Sequence, residues 1–135
     1  MKRLIYLIIA LTMFVSCGNA ETKKQTKKIK SNTVEVLYFH GKQRCITCVS
    51  IESLTKEVLE KDFKKELNNN KIVYKVIDIT ENEELADKYE VAWSSLILDK
   101  KGKTVNLTDM GFSYAKNQPD VFKAKLKDEL YKILK

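Results

Sequence analysis

The chain has 135 residues, 44% of them hydrophobic and 32% charged, with four glycines and one proline. That is room for one domain of ordinary globular composition, and it excludes collagen-like, disordered and multi-span membrane classes. The formal charge of +7 would suggest a nucleic-acid binder, but residues 1–16 carry +2 of it and residues 17–32 carry +4. The other 103 residues hold 18 basic groups against 17 acidic ones, so no nucleic-acid partner is expected.

At the start, Lys2 and Arg3 precede an apolar run from Leu4 to Val15, and the small residue Ser16 stands before Cys17. The run is too short for a hydrocarbon core, which takes about 20 apolar residues. It fits the apolar region of a secretory signal peptide over residues 1–16. A buried helix, or a plain signal with an accidental cysteine, is the alternative. The segment Phe14-Val15-Ser16-Cys17 resembles a bacterial lipobox, with Phe14 where leucine is usual. That resemblance implies a lipoprotein acylated at Cys17 and anchored to a membrane of the bacterial envelope, outside the cytoplasm and facing the periplasm. Each acyl methylene buried in a bilayer contributes about 0.8 kcal/mol. Residues 17–32 are polar, carry Lys23, Lys24, Lys27, Lys28 and Lys30, and lack hydrophobic periodicity. They read as a basic tether that reaches at most roughly 55 Å when extended.

Residues 33–135 read as the folded domain. Thr33 to His40 is rich in β-branched and aromatic residues and predicts a strand buried on both faces. After a loop from Gly41 to Arg44, the spacing of Val49, Ile51, Leu54, Val58, Leu59, Phe63 and Leu67 predicts a helix from about Cys45 to Leu67. Lys71 to Ile79 predicts a second strand. Thr80 with Glu83 has the pattern of a capping box and opens a short helix to about Tyr89. Ser95 to Asp99 and Lys103 to Thr108 predict a hairpin turning at Lys100-Lys101-Gly102. Asn117 and Pro119 begin a last amphipathic helix with Val121, Phe122, Leu126, Leu130, Tyr131 and Leu134. The expected class is α/β: a βαβαββα order with a central mixed four-stranded sheet flanked by helices on both sides.

With Cys17 spent on lipid, the domain keeps Cys45 and Cys48, three apart at a strand-to-helix junction. Positions i and i+3 of a helix share a face about 5–6 Å apart, within disulfide reach. The first cysteine meets unsatisfied backbone N–H groups and the helix dipole, which favour its thiolate, and Arg44 adds a nearby charge. The second lies a turn inward and suits resolution of a mixed disulfide. A purely structural disulfide is the plainer alternative, but a four-residue loop stabilises by only about 2 kcal/mol. A metal site is the other alternative. His40, the only histidine, ends the strand facing the same loop, yet three ligands fall short of the four of structural zinc. Soft thiolates could still hold copper(I).

The order of elements, with CxxC after the first strand, resembles the thioredoxin superfamily over about residues 33–134. Cys45 and Cys48, the Lys101-Gly102-Lys103 turn, Gly111 beyond the last strand and the terminal helix carry the resemblance. It implies a compact thioredoxin-like core and a thiol–disulfide oxidoreductase, with Cys45 attacking and Cys48 resolving. Such exchange runs on the two sulfurs and calls for no cofactor or metal. The expected partners are protein or small-molecule thiols and disulfides and a redox partner in the membrane, with the chain itself a monomer. Three positions depart from the family pattern. Trp93-Ser94-Ser95-Leu96 stands where a cis-proline is usual, no acid falls near Tyr38 or Phe39, and Arg44 replaces the usual tryptophan. The Trp93–Leu96 segment is expected to face the cysteines with trans peptide bonds, because a cis bond before a non-proline residue costs about 3–4 kcal/mol. Trp93, Ser94 and Ser95 are the expected substrate loop, and His40 an auxiliary residue. The alternatives to exchange are a soft-metal or metalloid-handling CxxC module and, with the proline absent, a thioredoxin-fold interaction protein whose pair is dormant.

Overall fold

A computed structural model describes residues 32–135. The expected signal segment, the lipidation site at Cys17 and the tether as far as residue 31 lie outside the described residues. The chain runs β1 (Val34–His40), α1 (Ile46–Asp62), α2 (Lys64–Asn68), β2 (Ile72–Asp78), α3 (Glu83–Lys88), β3 (Ser95–Lys100), β4 (Lys103–Asn106), α4 (Thr108–Tyr114) and α5 (Pro119–Leu134). The sheet order is β2-β1-β3-β4, with β1 parallel to β2 and antiparallel to β3, and β3 antiparallel to β4. This is the mixed four-stranded sheet that the sequence predicts.

The period of two along β1 divides its apolar side chains between two layers. Val34, Val36 and Tyr38 join Ile51, Val58 and Leu59 of α1 and Phe122, Leu126 and Leu130 of α5 in the larger core. Leu37 and Phe39 join Ile77 and Ile97 on the opposite face, under Leu85 and Tyr89 of the α3 region. Both faces of β1 are therefore dry, which is why its sequence is a continuous apolar run rather than an alternating one. None of the helices among the described residues is long and apolar enough to cross a membrane.

Three local expectations are corrected. The helix expected through Leu67 breaks at Phe63, where φ is −125° and ψ is 23°. Phe63 is fully packed and stacks on Tyr131 with ring centroids 5.0 Å apart, so core packing turns the chain there without a glycine or proline. The Thr80–Glu83 capping box does not form. Asp78 takes both the Thr80 amide, at 2.9 Å, and its hydroxyl, at 2.7 Å, while Asn82 is the N-cap residue of α3. The third difference is α4, which occupies a stretch read as connection after the last strand. A Cβ at Gly111 would stand 3.0 Å from Ile51 Cδ1, so glycine is what allows α4 to press onto α1. At the hairpin, Lys101 and Gly102 have φ of 58° and 83°. Positive φ at both central residues is the geometry of a two-residue turn that follows the strand twist.

Two tyrosines tie the layers together through their hydroxyls. Tyr89 donates to Asp99 Oδ2 at 2.6 Å, and Tyr74 donates to the Glu52 carbonyl at 3.4 Å. Burial first, then the Asp99 contact for Tyr89 and the proximity of Tyr38 for Tyr74, holds both phenols well above the ordinary tyrosine range. The folded state thus favours the neutral phenol. That stabilisation is complete below the unfolded value of about 10 and is lost as pH rises through the raised folded values. We expect urea midpoints to fall between about pH 10 and 12, and Tyr74→Phe with Tyr89→Phe to flatten that fall. An unchanged slope in the double variant would assign the alkaline loss to other groups.

Candidate redox site

Sheet topology brings four parts of the chain to one edge. The end of β1 delivers the loop from Gly41 to Arg44, and the parallel β2 ends beside it, with Ile79 following. Because β3 runs antiparallel to β1 with Phe39 opposite Ser95, the chain entering β3 arrives at the same edge. The exit from β4 returns there too: the Leu107 amide bonds the Leu96 carbonyl at 2.8 Å before α4 begins. Between these segments lies a groove of about 590 Å³ lined by Gly41, Gln43, Cys45, Cys48, Ile79, Ala92, Trp93, Ser94 and Phe112.

Cys45 and Cys48 form a disulfide across the first turn of α1, with their Cα atoms 5.0 Å apart. Cys45 is the N-cap residue in extended conformation, φ −76° and ψ 161°, and its Sγ accepts the Cys48 amide at 3.1 Å. That contact places one of the helix's orphan N–H groups on the sulfur that would carry charge in the reduced state. Cys45 is exposed, whereas Cys48 is 5% exposed. The fully buried Tyr38 of β1 donates its hydroxyl to the Cys48 carbonyl at 2.7 Å, which fixes the inner cysteine against the sheet. The pair is therefore unequal in access and in backbone surroundings.

The expected substrate loop is only partly at the groove. Trp93, 67% exposed, and Ser94 line it, whereas Ser95 starts β3 and turns its hydroxyl to the Trp93 carbonyl at 3.1 Å. All peptide bonds among the described residues are trans. His40 is not a lining residue; its Nδ1 lies 3.0 Å from the Gly41 carbonyl oxygen. Among the described residues no group of three or more histidine, cysteine or acidic side chains is placed to hold a metal ion. Arg44 also stays out of the groove. Its guanidinium pairs with Glu52 and lies 5.9 Å from the centroid of the Tyr38 ring.

Phe112 and Glu52 are among the residues at the site that were not singled out in the sequence. Phe112 reaches the groove because α4 exists, and no signal short of recognising that helix would have found it. Glu52 sits one turn beyond Cys48, where a polar residue on an amphipathic helix reads as ordinary surface. Around the disulfide, Ile46, Val49, Trp93 and Phe112 leave large apolar side chains open to solvent.

No family model and no curated protein matches the chain. Solved structures do. Human ERp44 in form I matches with a TM-score of 0.55 at 17% identity, over 82% of this chain and 27% of that one. ERp44 in form II matches with a TM-score of 0.54 at 14% identity, over 74% and 26%. The chain thus spans about a quarter of the ERp44 chain. The germline-specific thioredoxin Deadhead from Drosophila melanogaster matches at 20% identity over 75% of this chain and 81% of that one, with a TM-score of 0.49. The chain has a thioredoxin-like fold. On that fold the CxxC disulfide stands at the N-terminus of the helix after the first strand, the placement that the sequence resemblance implies, and it supports a redox-type function.

Proposed function

We propose that this protein is a thiol–disulfide oxidoreductase, tethered through a lipid on Cys17 to a membrane of a bacterial envelope and acting outside the cytoplasm. The observation that carries the redox reading is the asymmetric pair: an exposed Cys45 at a helix N-cap, joined to a buried Cys48 beside an open apolar groove. In the reducing direction, the Cys45 thiolate attacks one sulfur of a substrate disulfide. A Cys45–substrate bond forms and the other substrate sulfur leaves as a thiolate that takes up a proton. Cys48, losing its proton, then attacks Cys45 Sγ; the Cys45–Cys48 bond forms and the second substrate thiol leaves. Two electrons pass from the pair to the substrate, and the reverse sequence oxidises a dithiol.

Trp93 and Ser94 are assigned to the substrate wall of the groove, and the substrates to proteins or small molecules bearing thiols or disulfides. A redox partner in the membrane restores the pair. The tether argument rests on the lipobox-like segment and the basic stretch after it, and the folded domain supplies the chemistry.

The test measures reduction of a protein disulfide by the purified protein with dithiothreitol as electron source, and follows the protein in cell fractions. Catalysis well above the rate of dithiothreitol alone, and membrane retention lost in Cys17→Ala, are the expected results. A rate equal to the uncatalysed one overturns the enzymatic reading, and normal membrane retention of a processed Cys17→Ala protein overturns the anchor.

A further inference from the structure

Arg44 is the residue before the N-cap cysteine, and its charge is not left free. The guanidinium pairs with Glu52 Oε2, an oxygen sealed from solvent that has no other hydrogen-bond partner. The two side chains are about 30% and 27% exposed, so the pair is only partly screened by water. Glu52 stands four residues after Cys48 on α1, hence on the same helix face. The ion pair spans the turn that holds both sulfurs. Beneath it, Tyr38 holds the Cys48 carbonyl and Tyr74 the Glu52 carbonyl. Lys42 and His40 lie toward Asp78 at the end of β2, and Lys116 shares a surface hollow with Arg44.

We propose that Glu52 is a positioning residue that sets the redox poise of the CxxC pair by neutralising Arg44. This deepens the oxidoreductase reading and rests on it for the meaning of the potential, though not for its measurement. An unpaired Arg44 cation beside Cys45 stabilises the thiolate, hence the reduced form, and makes the disulfide a stronger oxidant. An unpaired Glu52 carboxylate destabilises the thiolate and makes the dithiol a stronger reductant. With both present their fields largely cancel, and the helix N-terminus is left as the main thiolate stabiliser. The poise of the pair is then set by a charge balance between the loop and α1, eight residues apart in sequence, beside a β1 strand with no acid at Tyr38 or Phe39.

The equilibrium that reads this is the exchange of the protein with glutathione. Two glutathione thiols become one glutathione disulfide, while the Cys45–Cys48 bond accepts two electrons and two protons. The full-length protein is equilibrated at pH 8 in mixtures of reduced and oxidised glutathione, and its free thiols are counted by alkylation and mass. Glu52→Gln is expected to shift the equilibrium about three- to tenfold toward the dithiol, and Arg44→Gln by a similar factor toward the disulfide. Tenfold corresponds to about 30 mV for a two-electron couple. The double variant is expected to return to the wild-type value, and Arg44→Lys, which keeps the charge, to stay near it. Opposite signs that cancel cannot come from simple loss of a structural contact, because each single variant removes the same ion pair. Shifts of the same sign, or none, overturn the proposal. Should Arg44→Gln fail to fold, a Glu52→Gln shift toward the dithiol with an unshifted Arg44→Lys carries the decision, and a Glu52→Gln shift toward the disulfide, or none, overturns the proposal. Because the equilibrium needs no turnover, wild-type protein that reduces no substrate defeats the oxidoreductase reading and leaves this measurement standing.

Discussion

Cys48→Ser is expected to turn the protein from a turnover catalyst into a trap for its substrates. Cys45 remains exposed at the N-cap, so attack on a substrate disulfide proceeds. The sulfur that resolves the product is gone. In the wild type it lies on the same helical turn, with Cα atoms 5.0 Å apart. Well-oriented intramolecular groups reach effective concentrations of about 10⁵ M or more, which external thiol at millimolar levels does not replace. Turnover should therefore fall by at least about 10³-fold in Cys48→Ser, with mixed disulfides visible by mass spectrometry under non-reducing conditions. Cys45→Ser should lose turnover to a similar degree and trap little, because the remaining thiol is buried. In the reduced wild type, a thiolate-directed alkylating agent at mildly acidic pH should modify Cys45 first. Equal trapping by both variants, or faster modification of Cys48, would reverse the assigned roles.

The unequal placement from which those roles are argued was legible in the sequence because it depends on local geometry. A cysteine that opens a helix meets free N–H groups wherever the helix packs, and a cysteine three residues later faces inward when the helix is amphipathic. The strands were legible for a similar reason: the β1 run is apolar on both faces because both are covered. What escaped was set by tertiary contacts. The break at Phe63 continues the apolar stripe without interruption and is made by packing against Tyr131. The seven residues of α4 contain a glycine and aromatic residues, a poor helix by propensity, held in place by close approach to Ile51. Missing α4 meant missing Phe112 as a wall of the groove. Thr80 and Glu83 showed a capping pattern, but Asp78 lies two residues before Thr80 and captures it in a local turn. The Arg44–Glu52 pair bridges the loop and the second turn of α1, a spacing that no helical template marks.

The fold also separates aromatic residues buried in the core from those exposed at the groove, and two truncations should show it. Phe122 of α5 is 0% exposed and packs in the core that joins α5 to α1 and the sheet. Removing a ring from such a position leaves a cavity that close-packed neighbours fill only partly, and Phe122→Ala should cost about 3–5 kcal/mol. Domains of this size are stable by about 5–15 kcal/mol, so the loss is a large share of the whole. The melting temperature should fall by at least about 12 °C. Trp93 is larger but stands 67% exposed at the rim of the groove, so its ring is already mostly in water. Trp93→Ala should change stability by no more than about 0.5 kcal/mol. Its cost should appear instead as weaker capture of substrate beside the disulfide, a raised KM with little change in the Cys45–Cys48 potential. Denaturation curves and steady-state kinetics on the two variants separate these effects. A Trp93→Ala protein that melts as early as Phe122→Ala would make Trp93 part of the core and remove it from the substrate wall.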